Sequence, residues 1–188
     1  MSFTAKTVVC DFTTHWNTAG AQMCREIDFY SGGTKLALTK AGGDYVTFGN
    51  EHSSPYETEN LFDTSNLLDG AHINNGWQLN TAASVRVIVV FDTPQTFDSI
   101  IINNHHDSGG ATVYGVKDTL LYITDTAYTV LDAYGTAVTG GTKIFDGVFP
   151  QHAATNTVQD FELTLIGSGG GATLPTEFFK HIRTNHVN

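Results

Sequence analysis

Basic residues are scarce in this chain of 188 residues, which carries nine Lys and Arg against nineteen Asp and Glu. The formal net charge is -10 and the isoelectric point calculated from the sequence is near 5.0. Proteins bind phosphate backbones and anionic lipid surfaces through a surplus of cationic side chains, which this chain lacks. The composition therefore argues against nucleic acid as a partner.

Long apolar segments are also missing. No stretch approaches the run of about 20 apolar residues that spans a bilayer. The N-terminal sequence MSFTAKTVVCDFTTHW has one Lys and no apolar stretch long enough for the core of a signal peptide. We therefore expect a protein made in a cytoplasm, without a cleaved signal peptide and without membrane insertion.

Cysteine is limited to Cys10 and Cys24, which form no CxxC pair, so no metal or redox motif is visible. One interpretation is two buried thiols. The other is a disulfide, which would need the two Cα atoms within about 7 Å, as adjacent antiparallel strands could provide. The missing signal peptide favours the thiols.

Hydrophobic residues are plentiful, at 40% against 15% charged, and there are 19 glycines, a composition typical of a compact β protein with many turns. The clearest strand is SVRVIVVFD at 84–92. Its apolar residues alternate, so they should cover both faces of the strand. One face would carry Val85, Val87, Val89 and Phe91, and the other Ile88 and Val90.

Other strand candidates follow at short intervals, with glycine and asparagine turns between them. We predict strands at 7–12, 24–30, 35–39, 45–48, 96–104, 112–116, 119–124, 142–149, 159–166 and 178–182, a turn at 93–95 around Pro94, and a helical turn at 60–69. In 24–30, alternation places Arg25, Ile27 and Phe29 on one face and Cys24, Glu26, Asp28 and Tyr30 on the other. Without βαβ alternation or internal repeats, this pattern predicts one all-β domain over 1–188, an antiparallel sandwich or jelly roll.

Several landmarks occur in a familiar order. Asp69-Gly70 precedes the turn Asn74-Asn75-Gly76-Trp77, and an apolar strand, a proline turn and a second strand follow. Together with EIDFYSGGTKL and VKDTLLYITDT, this order resembles the discoidin (coagulation factor 5/8 type C) modules. The resemblance covers mainly residues 20–125 and implies a galactose-binding-like jelly-roll sandwich of the kind found in phage virion and bacterial surface proteins.

The resemblance also implies a structural Ca²⁺ in the Asp-Gly loop, with Asp69 as the carboxylate ligand and Asn74 as a further oxygen donor. The family often carries a second acidic residue shortly before the Trp, and this chain has Asn74-Asn75-Gly76 there. An Asx-type turn in which the loop side chains bond their own backbone is the alternative interpretation.

A second candidate site lies at the end of strand 96–104. Sugar sites in the resembling modules combine a His, an Arg or Asn, and an aromatic platform, because hydroxyl pairs need bidentate donors and apolar sugar faces need a ring. The alternative is a solvated turn, with Trp77 in the core. The candidate ligand-binding residues are Arg86, Asn103, His105, His106 and Asp107.

Motifs for catalysis are not found. Residues 167–172 formally satisfy G-x-G-x-x-A, but no βαβ unit supports a dinucleotide site. No G-x-S-x-G nucleophile motif or HExxH zinc motif is present. We therefore expect a protein that is not an enzyme.

Two functions are consistent with these features. The first is a virion structural protein, such as a capsid decoration, tail or baseplate-associated protein, that is made in the host cytoplasm and packs on other virion proteins or on itself. It would bind host cell-surface glycans through its loops as an added property. The alternative is a free-standing carbohydrate-binding lectin module.

Overall fold

The computed structural model describes residues 1–17, 20–51, 56–63, 77–79 (backbone only), 84–107, 109–131, 134–155 and 159–167. Within these ranges ten strands form two antiparallel sheets. The strands are β1 (Phe3–Phe12), β2 (Gln22–Ser31), β3 (Thr34–Lys35), β4 (Tyr45–Phe48), β5 (Trp77–Leu79), β6 (Val85–Phe97), β7 (Ser99–Asn104), β8 (Asp118–Thr124), β9 (Thr142–Val148) and β10 (Asp160–Glu162).

The first sheet has the order β4-β6-β1-β8-β9, so β1 lies at its centre. There Val8 is opposite Val89 on one side and Ile123 on the other. The second sheet has the order β10-β7-β2-β3, and β5 also pairs with β2. In this sheet Ile27 of β2 lies opposite Ile102 of β7.

One large cluster of buried apolar side chains fills the space between the sheets. The alternating apolar residues of each strand supply it, because successive side chains of a strand point to opposite faces. The predicted all-β sandwich is therefore confirmed. The members of the buried cluster include Val8, Cys10 and Phe12 of β1, Val87, Val89 and Phe91 of β6, Ile27 and Phe29 of β2, and Ile100 and Ile102 of β7.

A second, smaller cluster lies on the outer face of the first sheet and comprises Val9, Ile88, Val90, Tyr122 and Val138. Strand β6 is thus buried on both faces, as its sequence predicts.

Both cysteines are buried free thiols, the interpretation that the missing signal peptide favoured. Burial raises the pKa of Cys24 to about 12 and raises that of Cys10 well above its usual value. Neither thiol is therefore ionised or nucleophilic at neutral pH.

The turn predicted around Pro94 is wrong. Strand β6 runs on through Pro94 to Phe97, and the chain reverses at Asp98 before β7. The register between β1 and β6 shifts between Ala5 and Thr7, so residues 91–94 bulge out of regular pairing. Proline has no N–H for the ladder, and a bulge is one of the places where a strand tolerates it.

The face assignment at the start of β2 is also corrected. The register against β7 shifts between Cys24 and Glu26, so Arg25 is the extra residue of a bulge. A bulge exchanges the faces on either side of it. Cys24 therefore lies in the core with Ile27 and Phe29, while Glu26, Asp28 and Tyr30 keep the outer face as predicted.

Other elements are shorter than predicted or of another type. Residues 112–114 form a 3-10 helix instead of a strand, and Thr58–Leu61 forms another, which buries Leu61 and Phe62 as expected. The third and last described strands are limited to Thr34–Lys35 and Asp160–Glu162. The strand predicted at 178–182 lies outside the described residues. No helix in the described part of the chain is long and apolar enough to cross a membrane.

Candidate functional site

The outer face of the second sheet carries a row of polar side chains across three strands. In the register, Asn103 of β7 lies opposite Glu26 of β2 on one side and Asp160 of β10 on the other. Residues directly opposite each other in an antiparallel sheet share a face, with Cβ atoms about 5 Å apart. Asp28 follows Glu26 on this face, and Lys35 reaches both carboxylates. We call Glu26, Asp28, Lys35, Asn103 and Asp160 the polar recess.

Asn103 forms the floor of the recess. Asn103 is only 3% exposed, yet neither its amide nitrogen nor its amide oxygen has a hydrogen-bond partner in the described part of the chain. The Oδ1 atom of Asp28, which is 8% exposed, also lacks a partner among the described residues while Glu26 is ionised, whereas a protonated Glu26 donates to the Asp28 carboxylate. Buried polar groups in native proteins are nearly always bonded, and each exception needs an explanation. Three unpaired polar atoms therefore meet on one face of the sheet.

The charges in the recess are only partly balanced. Lys35 Nζ lies 2.7 Å from Glu26 Oε1 and 2.7 Å from Asp28 Oδ2. Burial and the neighbouring Asp28 charge nevertheless raise the pKa of Glu26 to about 7, and burial also raises the pKa of Asp28 and of Asp160. Glu26 therefore exchanges its proton near neutral pH, when it can either donate or accept a hydrogen bond.

The histidines that follow β7 form a separate, closed cluster. His105 is 4% exposed and His106 is fully buried, so the solvated-turn interpretation of these residues was wrong. Arg25 Nη1 lies 2.8 Å from His106 Nε2, and the ring of His106 stacks on that of His152 at 3.8 Å. The bulge in β2 is what brings Arg25 to this position.

Asn104 holds the end of β7 in place for this cluster. Its Nδ2 donates to the carbonyl oxygens of Val116 (2.7 Å) and Pro150 (2.9 Å), and its Oδ1 accepts from the backbone N–H of His105 (2.9 Å). Neighbouring asparagines thus have opposite roles, because alternation sends Asn103 outward and Asn104 toward the core.

Both histidines of the cluster are neutral at physiological pH. Burial, together with the nearby Arg25 and the neighbouring histidines, lowers the pKa of His105 to about 3 and that of His106 to about 4. A guanidinium only donates hydrogen bonds, so His106 Nε2 must accept, and a proton there would break the bond. The cluster has the features of a structural contact that requires neutral rings.

This arrangement predicts acid sensitivity. The folded pKa of His106 lies below its unfolded value of 6.5, so its contribution to stability is complete above pH 6.5 and is lost as the pH falls toward 4. At pH 5 the loss should be about 2 kcal/mol, from 1.36 kcal/mol per unit over about 1.5 units. His106→Gln, which keeps an acceptor for Arg25, should remove this dependence.

Urea unfolding of both proteins between pH 8 and pH 5 measures the effect. Only the difference in unfolding free energy between the wild type and His106→Gln is informative. The raised pKa of Glu26 makes its own contribution to the pH dependence of stability in both proteins, with the opposite sign. A difference in unfolding free energy that stays constant with pH would show that His106 does not titrate in this way.

Arg86 does not join the other predicted ligand-binding residues. It is 1% exposed on the outer face of the first sheet, where its Nε and Nη2 donate to the two carboxylate oxygens of Asp11 at 2.6 and 2.7 Å. Nη2 also bonds the carbonyl of Thr136, and Nη1 bonds the hydroxyl of Tyr128. Its donors are already used within the chain.

The remaining predicted residues divide as follows. Asp107 is half-buried and exchanges backbone hydrogen bonds with Gly110 at 2.9 and 2.6 Å. Asp69 and Asn74, the predicted Ca²⁺ ligands, lie outside the described residues, as does the side chain of Trp77. Among the residues that are described, no group of three His, Cys, Asp or Glu side chains is arranged to hold a metal ion.

Of the residues in the recess, the sequence nominated only Asn103 as a binding residue. Its partners come from segments about 70 residues before it and about 60 residues after it, so no local motif connects them. One signal was present, since Glu26, Asp28 and Tyr30 alternate with apolar residues in β2 and mark a polar outer face.

Comparison with protein-family models, with curated proteins and with solved structures finds no match to this chain.

Proposed function

We propose that this chain is a non-enzymatic structural protein of a virion, a capsid decoration, tail or baseplate-associated protein, that assembles with other virion proteins or with copies of itself. The proposal includes a galactose-binding-like jelly-roll topology and synthesis in the host cytoplasm. One observation carries the assembly role, the edge strand β4, which pairs on one side only among the described residues.

Strand β4 has the sequence YVTF, without charge or proline, and in the described part of the chain it pairs only with β6. Val46 is 57% exposed. Asp92 donates its N–H to the carbonyl of Asp44, and bonds alternate along an antiparallel ladder, so the N–H groups of Tyr45 and Thr47 point away from β6. Such an edge can accept a strand from another chain.

The opposite edge of the same sheet is protected. Strand β9 carries an ion pair between Lys143 and Asp146, and its register against β8 shifts at Leu121 and Tyr122. Charges and bulges are the usual means by which an edge avoids pairing with other chains. The contrast between the two edges supports β4 as the contact for assembly.

Space for a further strand is present at β4. An open cavity of about 420 Å³ follows this edge, lined by Lys40, Gly43, Tyr45, Val46, Thr47 and Glu59. Its walls include the Lys40–Glu59 ion pair and Tyr45, which is 3% exposed and donates its hydroxyl to the carbonyl of Glu59. A strand added here would find unpaired backbone groups and a polar rim, as in other cases of strand addition.

The test is the mass of the purified chain by light scattering over a range of concentrations. We expect an oligomer for the wild type and a monomer for Val46→Lys and for Thr47→Pro, because a charge or a proline at an edge opposes strand addition. Val148→Lys is the matched control, since Val148 is 46% exposed on the protected edge.

A wild type that stays monomeric at every concentration, or equal dissociation by Val46→Lys and Val148→Lys, would contradict assembly at β4.

Parallel runs with Ca²⁺ and with EDTA test the Ca²⁺ site proposed at Asp69 and Asn74, which would make the oligomer or its stability sensitive to chelator. Mass spectrometry of purified virus particles tests the virion setting, which requires the chain to be a component of them.

Glycan binding is a second candidate function. The observation that favours it is the unpartnered amide of Asn103 in the described part of the chain, since His105, His106 and Arg86 are buried inside the fold.

A further inference from the structure

We propose that the polar recess of Glu26, Asp28, Lys35, Asn103 and Asp160 binds a neutral, hydroxyl-rich ligand, the chemistry of a carbohydrate or another polyol. This inference deepens the glycan-binding function by giving it a site. It does not depend on assembly at β4, which belongs to the other sheet.

The donors and acceptors of the recess select the ligand. Asn103 offers one unpaired donor group and one unpaired acceptor, and Asp28 Oδ1 offers a second acceptor. A metal ion or an amine would engage only the acceptors and leave the Asn103 Nδ2 group buried without a partner. An anion would engage only that donor and the remaining N–H of Lys35, and it would meet three carboxylates. A hydroxyl group both donates and accepts, so adjacent hydroxyls complement all three atoms.

A ligand would have to enter the recess from its rim, because the residues of its floor are buried. The floor is formed by Asn103, Glu26 and Asp28, which are 3%, 7% and 8% exposed. On the rim Asp160 is exposed, while Tyr30 and Lys35 are half-buried. Tyr30 lies opposite Lys35 on the same face, and its ring supplies an apolar surface beside the polar groups. Sugars present this same combination of hydroxyl edges and an apolar face.

The unpaired amide also costs the fold stability, which argues for a role in binding. Replacing a buried, unpaired polar group with an apolar group of similar shape removes this cost. We therefore expect Asn103→Leu to raise the melting temperature by about 3 to 6 °C, while it abolishes binding. A purely structural Asn103 would show the opposite effect on stability.

The binding test uses nuclear magnetic resonance of the full chain labelled with ¹⁵N. The probes are methyl glycosides of the common hexoses, with glycerol and sorbitol as acyclic polyols, and methylguanidinium and putrescine as cations. We expect a glycoside or a polyol to shift the side-chain NH₂ signals of Asn103, which Asn103→Leu identifies by their disappearance. Glycosides that bind where acyclic polyols do not would identify a sugar ring as the ligand.

Asp160→Asn should raise the dissociation constant about tenfold, because it removes a charged acceptor from the rim. The matched control is Asp146→Asn, which removes an exposed carboxylate from the first sheet. This variant should bind the ligand as tightly as the wild type does. Binding is also measured in Val46→Lys, so that failure of assembly and failure of this site are seen separately.

Three results would overturn the inference. One is no shift of the Asn103 signals with any glycoside or polyol. Another is a shift with the two cations alone, which would make the recess a cation site. The last is binding that Asp146→Asn weakens as much as Asp160→Asn does.

Discussion

Replacement of Arg86 by alanine is expected to lower the free energy of unfolding by about 3 to 5 kcal/mol, because it leaves a buried carboxylate without its partner. The side chains of Arg86 and Asp11 are both 0% exposed and share two hydrogen bonds. The pairing raises the pKa of Arg86, so the guanidinium is charged at every accessible pH. Among the described residues, the carboxylate that remains in Arg86→Ala would keep only the backbone N–H of Gly135 as a donor.

Arg86 also anchors the chain that covers the first sheet. It donates to the carbonyls of Val130 and Thr136 and to the hydroxyl of Tyr128, and these contacts lie over the smaller apolar cluster. Arg86→Ala should therefore speed hydrogen exchange in β6 and in the described parts of 126–138. This local effect separates Arg86 from a residue that acts only on global stability.

Urea unfolding measures the loss, and two further variants interpret it. Lys143→Ala removes an exposed ion pair whose partners are 42% and 51% exposed, and should cost less than about 1 kcal/mol. The double variant Arg86→Met with Asp11→Leu should recover much of the loss, since apolar side chains often replace a buried ion pair without cost. A loss for Arg86→Ala as small as that for Lys143→Ala would contradict the structure.

Phe29→Ala is expected to cost about 3 to 5 kcal/mol, the usual range for removing a large aromatic side chain from a core. The Phe29 ring lies 5.0 Å from that of Phe97 and 5.5 Å from that of Phe91, both on the first sheet. It also stacks on Phe62 at 6.2 Å. Phe29 thus joins both sheets and the 3-10 turn that ends at Leu61, and its loss opens a cavity among three rings.

Thermal and urea unfolding measure this effect, with Tyr134→Ala as the control. Tyr134 is an aromatic residue that is 47% exposed, and its removal should change stability by no more than about 0.5 kcal/mol. Phe29→Leu should fall between the two, because it keeps part of the volume. Similar losses for Phe29→Ala and Tyr134→Ala would show that the sheets do not pack through this ring.

The strands of the core could be predicted because their information is local. Alternation in SVRVIVVFD correctly placed Val87, Val89 and Phe91 between the sheets and Ile88 and Val90 on the covered outer face. Bulges interrupted the same reasoning at Cys24 and at Pro94. A bulge depends on the register against the partner strand, which local alternation does not contain.

The candidate site was much less accessible to sequence reasoning. Five polar residues, four of them around the end of β7, were expected to share one site, but Arg86 bonds Asp11, 75 residues away in sequence, on the outer face of the other sheet. His105 and His106 looked like a solvated turn, yet the β2 bulge supplies Arg25 to hold them inside. Neither contact leaves a pattern of spacing in the chain.

The sequence by itself determined the β class, the two-sided burial of β6 and the acidic surface, because periodicity and composition act residue by residue. Only the tertiary structure decided that Asn103 faces Glu26 and Asp160 while Asn104 faces the core, and that β4 and β9 are the edges of the first sheet. Those outcomes depend on which strands become neighbours and in which register. Neighbours and register are set by the packing of the whole sandwich, since each strand could satisfy its own alternation beside several others.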